Sequence, residues 1–314
     1  MSENTSAPHT WLHPAGAYLP RCGQGFRINS RLTTAKASLG VESQAKCNFA
    51  KSARAQFETR CGAAPNSTGT PMSHGSQVKY VRKLQETLGP FFTDQRVLEV
   101  GSLDINGSVR QFFSGGSYVG LDVAAGPGVD VVCQGQEYAA PDGSYDVVIS
   151  CEAMEHNPHW VGTMENMIRV CRPGGLVVMT CATVGRPEHG TARTDPHASP
   201  LTVQLGWNYY RNLRVKDFEQ AIDFKSQFSA YRFWVNWNHY DVLFAGIKGP
   251  GEMSLDLASR WVDSTAALDR WHAEESGLLT HRYRAAAAAL FGDRWFVAMQ
   301  RLSRQLEWLN APHG

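Results

Sequence analysis

Glu99 and Asp122 are the residues from which a chemistry can first be read in this sequence. They lie 23 residues apart, near the ends of the short apolar runs RVLEV (96–100) and YVGLDV (118–123), with the small-residue stretch GSLDINGS between them. Strand, tight turn, helix, strand is the order of a nucleotide-binding βαβ unit. Gly101, Asn106 and Gly107 tolerate positive φ angles and let a ligand approach the backbone. Asp122 is placed to accept hydrogen bonds from both hydroxyls of a ribose. The turn departs from the GxGxG of dinucleotide sites, because Leu103 and Ile105 stand at glycine positions. A carboxylate at Glu99, just before Gly101, would repel a pyrophosphate and suits a cationic ligand that carries an α-amino group.

Proton removal near neutral pH is a task for imidazole, and His156, His159, His189 and His197 fall in segments that follow the later strands. His189 leads, because RPEHGT comes directly after a strand, where the loop of such a sheet covers the substrate. His156 is the second candidate. Cys151 ends a strand with no base beside it in the sequence and reads as packing.

These residues need a frame, and the pattern from residue 76 onward supplies one. SQVKYVRKLQETL repeats apolar residues at Val78, Val81, Leu84 and Leu88, which is one helical face. RVLEV, YVGLDV, VDVVC (129–133), YDVVIS (145–150) and GLVVMTC (175–181) are continuous apolar runs suited to strands buried on both faces. VGTMENMIRVCRPGG reads as a helix ended by Pro173 and two glycines. Residues 227–248 hold two aromatic and β-branched runs around Asn236–Asn238, an expected antiparallel hairpin. After Pro250 the spacing is helical, for packing or an oligomer contact. Residues 1–73 lack periodicity and end in a linker-like stretch.

The ordered pieces resemble the class I S-adenosylmethionine-dependent methyltransferases of the small-molecule, type 11-like kind. They are Glu99-Val100-Gly101, Asp122, Asp142-Gly143-Ser144-Tyr145-Asp146, Glu155-His156 and Arg172-Pro173-Gly174-Gly175. The resemblance covers about residues 76–248. It implies an α/β fold with a Rossmann-like sheet, helices on both faces, a C-terminal antiparallel hairpin and a helical tail. With the pattern along the chain, the expected domains are a poorly ordered or degenerate arm (1–73), the methyltransferase domain (74–250) and a helical extension (251–314). The implied cofactor is S-adenosyl-L-methionine. Glu99 and Gly101 would line its amino-acid part, with Asp104 and Asn106 completing the loop. Asp122 would hold the ribose beside Leu121 and Val123, and Gln134, Gly135 and Gln136 would flank the adenine. Ser150, Cys151 and Glu152 would face the sulfonium. A lid over residues 182–213 would carry Arg186, Glu188, His189, Tyr210 and Arg211. Asn157-Pro158-His159-Trp160 looks like the tetrapeptide with which amino-group methyltransferases grip a planar nitrogen, but seven residues, Ser150 to His156, precede it. We read it as non-catalytic.

Composition narrows the partners. Net charge is +1, with eight Lys/Arg against three Asp/Glu in residues 1–70 and 22 against 26 beyond. That favours a small-molecule acceptor over nucleic acid. Seven irregularly spaced cysteines, no leader pattern and no run of about 18 apolar residues suggest reduced thiols, the cytoplasm and no membrane span. CGQGF with Cys47 and Cys61 resembles a zinc ribbon that lacks partner cysteines, Leu19 standing where one is needed. No metal site is assigned. Two rival functions share this sheet: a catalytically silent cofactor-binding or assembly protein, and an NAD-type oxidoreductase.

Overall fold

A computed structural model describes residues 74–105, 107–251 and 253–310. The expectations placed on residues 1–73, the zinc-ribbon likeness among them, and on Asn106 lie outside the described residues.

The apolar runs form one seven-stranded sheet. Its strands are β1 (Arg96–Val100), β2 (Ser117–Asp122), β3 (Val131–Val132), β4 (Tyr145–Cys151), β5 (Cys171–Ala182), β6 (Phe228–Asn236) and β7 (Asp241–Lys248), in the order β3-β2-β1-β4-β5-β7-β6. β1 to β5 run parallel, and β7 pairs antiparallel with both β5 and β6. The order reverses between β1 and β4, which opens a crevice at the carboxyl ends of these strands.

Alternate residues of each strand serve two separate cores. Leu98, Val148, Val177 and Met179 face α2 (Trp160–Val170), with Phe218 of α4 (Val215–Ala221) and Phe224 of α5 (Phe224–Gln227) beside them. Val97, Val147, Ile149 and Val178 face the other way, against α1 (His74–Thr87) and α6 (Leu255–Ser276). Both layers bury strand residues completely, which is why the runs read as continuous rather than alternating. α6 is fastened by Trp234 Nε1, which donates to Asp269 Oδ1 at 2.8 Å, and by Thr87 Oγ1, which donates to Ser264 Oγ at 2.8 Å. The final helix, α7 (Leu279–Asn310), kinks at Gly292, whose φ of 63° and ψ of −164° are open to glycine.

Two expected features differ. The helix after β1 is replaced by a single 3-10 turn, Val109–Phe112, capped by Ser108 Oγ accepting from Arg110 N at 3.0 Å. Sixteen residues connect β1 to β2, and the last two, Gly115 and Gly116, both take positive φ where the chain turns into β2. α2 ends at Val170 rather than at Pro173: Cys171 is already extended, with φ −72° and ψ 136°, two residues before the proline. Cys171 instead pairs with Tyr145 at the start of the β4–β5 ladder.

Candidate active site

The crevice at the strand ends is a cleft lined by β1 (Glu99, Val100, Gly101), β2 (Leu121, Asp122) and the turn after β4 (Cys151, Glu152, Ala153). Gln77 of α1 closes it on one side. The segment after β5, with His189, α3 (Pro200–Gln204) and Trp207, closes it on another.

Glu99 is 5% exposed, and its Oε2 accepts from Tyr118 Oη at 2.8 Å. Burial pushes its carboxyl up to about 7, against the opposing pull of the Tyr118 hydrogen bond and the Arg110 charge. Asp122 is half-buried, and its two oxygens accept from Leu103 N at 3.0 Å and Val123 N at 2.7 Å. Burial raises it to about 6, which the two backbone donors oppose. Gly101 has φ 81°, and a Cβ there would lie 2.4 Å from that of Ala153, so this bend admits only glycine.

The other expected residues divide. Val123, Gly135, Cys151, Glu152, His156 and His189 line the cleft with Glu99, Gly101, Leu121 and Asp122. Asp104 turns away: its Oδ1 accepts from Gly107 N at 2.7 Å and closes its own loop. Gln134 and Gln136 bond to each other at 2.7 Å and do not line the cleft. Ser150 is fully buried and donates to Val100 O at 2.8 Å, joining β4 to β1. Burial drives the Cys151 thiol far above its ordinary value, so it stays protonated.

The acceptor side of the cleft is built by the two histidines. Their rings meet edge to face with centroids 4.9 Å apart, and Tyr210 packs 5.5 Å from His156 and 4.9 Å from His189. Burial, then the neighbouring His189 and Arg186, push His156 down to about 3, which makes it a poor proton acceptor at neutral pH. His189 is also lowered, chiefly by burial. Its Nδ1 donates to Pro187 O at 2.9 Å, which leaves the Nε2 lone pair available. Arg186 is buried and tied to Asp241 at 2.9 Å and Glu152 at 3.4 Å. Glu188 pairs with Arg193, and Arg211 with Asp217. These lid charges therefore hold structure rather than face the cleft.

Sequence reasoning missed Gln77, Ser102 and Trp207 as cleft residues. A signal existed for the first: Gln77 falls on the Val81, Leu84, Leu88 stripe, where a buried polar side chain needs a reason. Gln77 Nε2 and Ser102 Oγ are both buried without a hydrogen-bond partner. Two unengaged donors beside two carboxylates in one cleft match the opposed charges of an amino acid zwitterion.

A family model described as a methyltransferase domain matches residues 72–231, just over half of the sequence. The chain belongs to the class I S-adenosylmethionine-dependent methyltransferases. A search of curated proteins finds no match. Among solved structures, this methyltransferase is similar to the Haemonchus contortus phosphoethanolamine N-methyltransferase 2 in complex with phosphomonomethylethanolamine and S-adenosylhomocysteine. That match is 18% identical, covers 57% of this chain and 54% of that one, and has a TM-score of 0.41. It is also similar to the Burkholderia thailandensis 1,6-didemethyltoxoflavin-N1-methyltransferase, at 10% identity, 73% and 94% coverage and a TM-score of 0.39. The chain spans about half the length of the Haemonchus enzymes it matches. No helix among the described residues is long and apolar enough to cross a membrane.

Proposed function

We propose that this methyltransferase moves the methyl group of S-adenosylmethionine to an oxygen or nitrogen of a small molecule. The observation that carries the reading is the pairing, in one cleft, of the Glu99 and Asp122 carboxylates with the unengaged donors Gln77 Nε2 and Ser102 Oγ.

Asp122 would hold the ribose hydroxyls, Glu99 the α-amino group, and Gln77 with Ser102 the carboxylate. Bound there, S-adenosylmethionine supplies a methyl group on a cationic sulfur, open to displacement from the opposite side. What the protein adds is alignment and exclusion of water. α3 and Trp207 cover the cleft. Where the acceptor is a hydroxyl, His189 Nε2 would take its proton, the tautomer being set by Pro187. His156 would shape the acceptor side as a neutral ring. The near-neutral net charge and the partly apolar lining support a small acceptor over nucleic acid.

Calorimetric titration with S-adenosylmethionine and its demethylated product, repeated on Asp122→Ala with NADH as control, tests the reading. Micromolar binding of both, lost in the variant and absent for NADH, is the expected result. Binding of NADH alone, or of none in a folded sample, would reject it.

A further inference from the structure

We infer that Glu155, His156 and His189 form a binding site for a divalent transition-metal ion on the acceptor side of the cleft. The inference deepens the methyltransferase reading, since it names what this part of the cleft binds.

The donor atoms of these three residues all lie within 4.8 Å of one another. Two imidazoles and one carboxylate form a borderline donor set of the kind that takes zinc, iron(II), cobalt or nickel rather than calcium or magnesium. Glu155 is completely buried, and only its Oε1 is engaged, accepting from Ala182 N at 3.2 Å. Glu155 Oε2 is buried with no hydrogen-bond partner. An unengaged buried carboxylate oxygen is among the costliest groups a fold can hold, and a metal ion relieves it.

The local charge balance points the same way. Arg186, the cation that acts on Glu155, is itself committed to Asp241 and Glu152, and among the described residues no Lys or Arg forms an ion pair with Glu155. Its neighbours in the cluster are two imidazoles, which ligate when neutral. His189 has the outer bond typical of a metal-ligating histidine, Nδ1 donating to a backbone carbonyl, here Pro187 O at 2.9 Å. His156 and His189 line the cleft whereas Glu155 lies behind it, so the unfilled coordination positions face the acceptor. Two ligand atoms at about 2.1 Å from one ion stand at most about 4.2 Å apart, so the set must close slightly. His189, part-exposed on its loop, is the member free to do so. With Nε2 committed to the ion, His189 is a ligand and not the base, so the base role described above belongs to the metal-free site alone. With the ion bound, an acceptor oxygen or nitrogen would be held by the metal.

The test uses the full chain, stripped with a chelator and titrated with Co²⁺ while visible absorption and heat are recorded. One equivalent is expected, with d–d bands of nitrogen and oxygen ligation. Affinity should fall by more than about 100-fold in His189→Ala, since even outer-shell changes cost about 10–100-fold. Glu155→Gln, checked for folding, should show the same loss, and the exposed His159→Ala should bind as the parent does. Absence of binding, binding unchanged in His189→Ala, or a thiolate charge-transfer band marking ligation by the N-terminal cysteines would overturn the inference. S-adenosylmethionine titrated into the same samples separates the two readings: cofactor binding without Co²⁺ removes only this one, and Co²⁺ binding without cofactor binding removes only the methyltransferase assignment.

Discussion

Tyr118 Oη donates to Glu99 Oε2 at 2.8 Å, a bond between neighbouring strands at the floor of the cleft. Among the described residues no Lys or Arg forms an ion pair with this carboxylate, and the Arg110 charge acts on it without a direct bond. With burial raising Glu99 to about 7, the folded chain binds that proton more tightly than the unfolded chain does. Stability from this group is present at low pH and declines as pH rises from about 4.5 to about 7. Glu99→Gln is therefore expected to raise the ligand-free stability at pH 8, on the order of 1–3 kcal/mol, while weakening cofactor binding. Denaturant unfolding at pH 5 and pH 8, beside calorimetry, checks both signs.

The same protonation governs affinity. A cationic ligand selects the ionised forms of Glu99 (about 7) and Asp122 (about 6), so binding tightens as pH rises through these values. Below pH 6 each protonating group should cost about tenfold per pH unit. Titrations from pH 5.5 to 8 in matched ionic strength should show the slope, and Glu99→Gln should flatten it.

Gly101→Ala sets a methyl group 2.4 Å from Ala153 Cβ on a backbone at φ 81°. The expected loss is about 1–3 kcal/mol of stability together with cofactor affinity. Ala153→Gly in the same chain removes the clash and leaves the strain, so the double variant should recover part of the loss. A double-mutant cycle on unfolding free energies measures it.

Asp146 accepts from Arg96 N and Nε and from Arg172 Nε, and Arg96 and then Arg172 hold its carboxyl far below the ordinary carboxylate value. A lowered folded value means stability present above about pH 4 and lost as pH falls. Asp146→Asn should destabilise at pH 7 and approach the parent below pH 3. Thermal melts across that range check the convergence.

Much of the frame was legible because buried parallel strands are written as unbroken apolar runs, and the acids at their ends mark the crevice. Glu99, Gly101 and Asp122 follow from that. The helix expected after β1 completes the strand–turn–strand spacing by analogy, and the chain there forms only the 3-10 turn Val109–Phe112. Glu155 reads in the sequence as part of a motif; its burial under the end of β5, where Ala182 N donates to its side chain, and under Arg211, whose N donates to its carbonyl, is a tertiary fact. Position in the loop alone points Asp104 toward the ligand, but a short carboxylate bonds a nearby backbone N–H, here Gly107 N, more readily than it reaches outward.

Beyond the kink at Gly292, Asp293 Oδ1 accepts from Gly185 N at 3.0 Å and from Asn212 Nδ2 at 2.9 Å, at the two ends of the segment that covers the cleft. Asp293→Ala is expected to raise the acceptor KM with little change in cofactor affinity, and hydrogen exchange around residues 185 and 212 should quicken.

The tail is thus joined to the segment that covers the cleft, where a change of acceptor would be felt. Selection on substrate range then acts on residues far apart in the chain, and positions 185, 212 and 293 are expected to covary among relatives as one inherited unit.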